Sequence, residues 1–283
     1  MAVFLGILVA ASFGSGDFLG GRASRRAPTL TVLFVAQTTA VLGAVLVCFF
    51  VSAHVSAHDI VFGALAGSVS IVGVGMLYQG LAVGRMGVVA PLTAMVSAVV
   101  PVGWGIVNGE RPSAVVVAGV VLAVIAGTLI SRQPDDPSTG AAAPASSLAW
   151  SVGAGACLGT SLVLYLHTST DSGLWPVLAA RGAAFVVVAI ALAVVASRRV
   201  PLSFPTGPDR LLALGAGVLD VTASSLLLLA VRRGLVVVVA PLVALAPAAT
   251  VILARFVLGE RLHRPQRIGL VFALVGLVLI VVG

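Results

Sequence analysis

The chain has 283 residues, 60% of them hydrophobic and 9% charged, against the roughly 25% charged residues typical of a soluble domain. It could not cover a surface in water with polar groups, so lipid is its expected solvent. The formal charge of +7 comes from arginines scattered in short segments between apolar runs, not gathered on one face as a nucleic-acid site requires, and no nucleic-acid partner is expected.

A hydrocarbon core of about 30 Å takes around twenty apolar residues in a helix, and ten such runs occur, bounded by charge, Pro or Gly. The first, Ala2–Leu19, lacks a basic leader and carries Asp17 where the small residues of a cleavage site would be sought. A retained helix is therefore expected rather than a removed signal peptide. Asp17, with glycines around it and Arg22, Arg25 and Arg26 after it, reads as an interfacial structural group at the end of that span. Thr29–Val51 contains Gln37. Ile60–Leu81 contains Gly67 and Ser70 and ends in Tyr78 and Gln79, where amphipathic rings anchor at headgroup depth. Val88–Val107 contains Pro91, Pro101 and Trp104, and Ala114–Ile130 completes five spans.

Ser131–Ser146 has the composition of a flexible linker and lies near mid-chain. Beyond it come Leu148–Leu166, which ends near Tyr165 and His167, then Leu174–Ala196 with Arg181 and Leu211–Val231 with Asp220. Val236–Leu258, with Pro241 and Pro247, and Ile268–Val282 complete the set. The expected fold is an all-α polytopic membrane protein of ten transmembrane helices.

The two sides of the linker repeat each other. VVAPL at Val88–Leu92 recurs 150 residues on at Val238–Leu242, GER at Gly109–Arg111 recurs at Gly259–Arg261, and Gly119 falls on Gly269. Five spans per half is an odd number, which inserts the second half upside down relative to the first. The expected arrangement is two inverted five-helix repeats, residues 1–130 and 147–283 joined by the linker 131–146.

The segments GERLHRPQRIGLVFALVGLVLI and GERPSAVVVAGVVLAVIAGTLI, the APL at the start of each fourth span and the opening FGSGDFLGGRASRR resemble the EamA domain of the drug/metabolite transporter superfamily. The resemblance covers essentially the whole chain as two EamA units. It implies ten helices around a central cavity and the movement of a small metabolite or drug-like solute across the membrane, with export as the expected direction. The central spans carry fewer aromatic residues than a cavity that stacks aromatic solutes would need.

An ionisable group at mid-bilayer costs about 2.5–3.5 kcal/mol on an insertion scale and so faces a cavity or a partner. Arg181 and Asp220 are such groups. Gly217, Asp220 and Ser224 form a small, polar stripe on one helical face, and Gly67, Ser70 and Val74 occupy the matching places 150 residues earlier. Arg181 aligns with Gln37 at 144 residues, which puts a hydrogen-bonding side chain at one depth in the second helix of each half. Candidate substrate-binding residues are therefore Gln37, Ser70, Trp104, Arg181, Asp220 and Ser224. The alternative is structural: Asp220 satisfied on its own helix or by Arg181, Arg181 by backbone carbonyls, Trp104 by core packing.

Pro91, Pro101, Pro241 and Pro247 are candidate hinges, since proline removes a helical hydrogen bond, with a plain packing kink as the other reading. Glu110 and Glu260 lie beyond the apolar runs and read as loop anchors. Loss of hydration at mid-bilayer disfavours a charged carboxyl, which makes Asp220 the expected residue for any proton coupling.

A secondary transporter working by alternating access is the leading functional reading. A non-transporting structural or lipid-handling membrane protein stays open as an alternative. A membrane enzyme is disfavoured because the short loops hold no set of acids, histidines or nucleophile, and no catalytic residue is assigned. No GxxxxGK[ST] loop occurs, the four histidines are scattered and the two cysteines lie in apolar runs, so neither a cofactor nor a metal is expected. The expected partners are a small-molecule solute and the lipid bilayer of the plasma membrane, with a homodimer left open. Alternate loops hold eleven and three arginines, which by the positive-inside rule places both termini outside the cytoplasm.

Overall fold

A computed structural model of the chain describes residues 2–48, 56–109, 111–131, 145–232, 245–260 and 264–283. Among these residues it contains ten α-helices: α1 (Ala2–Ala23), α2 (Thr29–Cys48), α3 (Ala57–Val83), α4 (Met86–Val107), α5 (Ala114–Ser131), α6 (Ala145–Tyr165), α7 (Trp175–Ser197), α8 (Gly207–Arg232), α9 (Ala246–Leu258) and α10 (Arg264–Val282). A 3-10 turn, Thr170–Ser172, lies between α6 and α7. Residues 132–144 of the expected linker lie outside the described residues.

Valine-rich stretches such as AVVVAGVV in α5 are poor helix formers in water. In hydrocarbon no water can satisfy a free N–H or C=O, so the helix, which closes each bond within its own span, overrides that preference. Seven helices (α1, α2, α3, α4, α6, α7 and α8) are long and apolar enough to cross a membrane, while α9 and the apolar part of α10 are shorter. Large apolar side chains such as Phe4, Leu42, Val107 and Phe256 point outward from the bundle at 66–81% exposure. Only a lipid surround makes that stable. The chain is a multi-pass membrane protein.

Two boundaries differ from the sequence reading in an informative way. The first helix does not stop at Leu19 but continues through Gly20 and Gly21 to Ala23, because those glycines are where α3 packs: a Cβ on Gly20 would strike the Tyr78 ring, and one on Gly21 would strike Leu81. Close packing of a neighbour, not a helix stop, explains the pair. Similarly, α3 runs on to Val83, so Tyr78 is not at an interface but in the core, 5% exposed.

Helix α4 runs unbroken through Pro91 and Pro101. Pro247 falls in the first turn of the described α9, where a missing N–H breaks no helical bond; it does not interrupt a helix there. Pro241 lies outside the described residues.

The segments before and after the linker interlock. Helix α1 packs chiefly on α8 and α9, α6 on α3 and α4, α2 on α7 and α8, α3 on α7, and α5 on α10. Two crossings are backbone-close. Gly67 of α3 lies directly on the Ala180 backbone of α7, and Gly217 of α8 lies directly on the Ala36 backbone of α2, with no room at either for a side chain. Small residues at such crossings let helices gain van der Waals contact that lipid cannot supply.

Candidate functional site: a central cavity

These two crossings set the depth of the polar residues. Ala36 is followed by Gln37 and Ala180 by Arg181, so each glycine contact brings the next side chain to the space between the helices. That space is a cavity of about 1170 Å³ to which all ten helices contribute. Gln37, Ser70, Arg181, Asp220 and Ser224 all line it.

Arg181 and Asp220 make a two-point ion pair, with Nη1 2.7 Å from Oδ2 and Nη2 3.0 Å from Oδ1. Arg181 Nη2 also reaches Ser224 Oγ at 2.7 Å, and that hydroxyl donates to the Asp220 carbonyl at 2.8 Å. One charge-assisted hydrogen bond, from Nη2 to Oδ1, and the close approach of Nη1 to Oδ2 tie α7 to α8 and offset both charges. Gln37 is 4% exposed, and its buried Oε1 has no hydrogen-bond partner among the described residues.

Trp104 is not among the lining residues; it is 47% exposed, its ring roughly edge-on to the His167 ring with centroids 6.4 Å apart. Pro101 and Pro247 line the cavity, whereas Pro91 is buried in packing. The sequence reading set Asp17 at a membrane interface, but with α1 extended to Ala23 it lies well inside the helix and lines the cavity. Tyr165 and Phe13 line it too. The i, i+4 spacing of Phe13 and Asp17 was the available signal, hidden because the glycines after Asp17 read as the end of the span.

The cavity is open at one end and shut at the other. Its lining reaches the exposed residues Arg111, Ser113, Leu166 and Gly283. At the opposite end Arg25 donates from Nε to the Leu81 carbonyl at 3.2 Å and from Nη2 to the Gly84 carbonyl at 3.2 Å and Glu260 Oε1 at 3.1 Å. Glu260 also accepts from the Met86 and Gly87 amides, at 3.3 and 3.2 Å. It thereby answers free N–H groups and the positive dipole end of α4. Glu110, its counterpart in the repeat, lies outside the described residues.

At the open end, Asp59, 2% exposed, accepts from the Ser169 amide and Ser169 Oγ at 2.8 Å each and from Ser172 Oγ. This ties the start of α3 to the α6–α7 connection. At the shut end Asp209, at the start of α8, pairs with Arg26 of the α1–α2 connection at 3.7 Å.

Fold and cavity together define a helical membrane protein that encloses a solute-sized space reachable from one side. Residues 145–282, in the second half of the chain, match the model of the EamA-like transporter family. It is similar in fold to a solved chain titled only as the crystal structure of a protein, with a TM-score of 0.61 and 14% identity over 98% of this chain and 95% of that one. No curated protein matches the sequence.

Proposed function

We propose that the protein is a secondary transporter that moves a small metabolite or drug-like solute by alternating access of two inverted five-helix repeats. The observation that carries this reading is the cavity itself: all ten helices line it, one end is open, and the other is held shut by Arg25, Glu260 and the start of α4.

Contacts exchanged between the repeats support it. Gly67–Ala180 and Gly217–Ala36 are one contact made twice. Gly14 lies against the Ala246 carbonyl and Gly159, 145 residues on, against the Ser97 carbonyl. Gly16 abuts the Ala216 carbonyl, while Ser161, again 145 on, donates to the Ala66 carbonyl at 2.8 Å. Asp59 and Asp209, 150 apart, each meet the connection between the first and second helices of the other repeat. A fold that makes each contact twice, once toward each membrane face, has two conformations of similar energy available to it, which is the condition for alternating access.

With the arginine-rich loops cytoplasmic, the open end faces outward, and export releases solute there. Asp220 is the group to which proton coupling is assigned in this reading. The test is solute exchange in proteoliposomes, together with the reactivity of a cysteine placed at Ser70 in a cysteine-free background. Labelling by impermeant reagent from both faces, slowed by transported solute, is the expected result. Labelling from one face alone under every condition would sink alternating access.

A further inference from the structure

The Arg181–Asp220 pair is self-neutralising, which leaves Arg111 at the exposed mouth of the cavity and Asp17 as the charge within it. Asp17 lines the same space, and its carboxylate has no hydrogen bond or ion pair among the described residues. It sits next to Gly16, where α1 lies against the backbone of Ala216 and Asp220, so it stands beside the pair and adds a second negative group there. Gln37 faces the same cavity, nine-tenths buried, with its Oε1 unanswered. An uncompensated carboxylate away from bulk water is costly, and an unpaired buried amide oxygen is costly as well. Both costs fall when a donor-bearing cation enters.

We infer that Asp17 is the recognition site for the ammonium group of a transported solute, with the Gln37 carbonyl as a second acceptor. This deepens the transport reading and rests on it for the word transported. The body of the solute follows from the remaining lining. Phe13, one turn before Asp17 on the same helical face, and Tyr165 offer ring faces that attract a cation, while Val74, Leu77 and Ala184 make the rest apolar. The substrate class is a small protonated amine on an apolar or aromatic body. An anion could be drawn to the mouth by the exposed Arg111, but further in it would find Arg181 already engaged by Asp220 and Asp17 unpaired among the described residues.

The probes are phenethylamine, 3-phenylpropionamide and 3-phenylpropionate, which share a ring and a chain and differ in charge. Binding is read as thermal stabilisation of the full-length protein in lipid nanodiscs, and transport as counterflow in proteoliposomes. Saturable stabilisation by the amine, at least tenfold weaker for the amide and the carboxylate, is expected. Asp17→Asn should weaken amine binding at least tenfold, and Asp17→Glu should retain it within threefold. Equal binding of all three probes would overturn the inference, as would unchanged amine binding in Asp17→Asn, the outcome if Asp17 takes only a proton. Should Asp17→Asn fail to fold, the probe series on the unmodified protein and Asp17→Glu decides. Amine binding without counterflow would leave the site standing and remove the transport reading. Counterflow of the carboxylate but not the amine would do the reverse.

Discussion

Arg181 and Asp220 meet guanidinium to carboxylate across α7 and α8, at 2.7 and 3.0 Å. Removing one partner of a buried ion pair strands the other and costs about 3–5 kcal/mol. Side-chain exposures of 15% and 27% toward the cavity put this pair at the lower end of that range. Arg181→Gln and Asp220→Asn are each expected to lower the midpoint of thermal unfolding in detergent clearly, and the double variant to recover at least half of the summed loss. Strict additivity would mean that the two groups are not coupled.

Glu260 is predicted to act as a cap as well as a bridge. Its contacts with the Met86 and Gly87 amides resemble helix capping, worth about 1–2 kcal/mol. In Glu260→Gln, amide exchange at Met86 and Gly87 should quicken by roughly five- to thirtyfold, and Arg25→Ala should give a smaller change. Unchanged protection would show that another group holds the shut end.

The close crossings predict equal sensitivity at two sites far apart in sequence. Gly67→Val and Gly217→Val should each force α3 from α7 or α8 from α2 at a cost of about 1–3 kcal/mol or more, read as a loss of folded protein after extraction. If Gly217→Val were tolerated while Gly67→Val was not, the two contacts would not be equivalent.

Orientation can be tested directly. A phosphatase fused after Gly283 is expected to be active and a fluorescent protein at the same place dark, since the arginine-rich loops lie on the opposite side from both termini. The reverse pattern would turn the molecule over and make the open end face the cytoplasm.

The helices themselves were legible in the sequence, because apolar run length is a local property, and the cost of a charge in lipid marked Arg181 and Asp220 as residues facing a partner or a cavity. Partnerships between helices were less so. The glycines at 20 and 21 look the same in sequence whether they end a helix or admit a neighbour, and only the Tyr78 ring packed against Gly20 decides it. That ambiguity concealed Asp17. Trp104 was read as facing inward from depth alone, but depth says nothing of which way around the helix a side chain points. By contrast, Asp59 and Asp209 share the 150-residue register found for VVAPL and GER, and a search of that register for acids would have found the pair before any coordinates.

The interlocking of helices across the linker bears on how the molecule is made. Helix α1 leaves the ribosome well before its main partners, α8 and α9, which lie beyond the linker. Until then it waits in the bilayer with Asp17, Gly14 and Gly16 uncovered by those helices. The helices before the linker are not a unit of folding: among the described residues α1 to α5 make few of their contacts with one another. Translation must pass through α8 and α9 before α1 meets its main partners, so a nascent chain stopped at the linker would present the cell's quality control with an open set of spans.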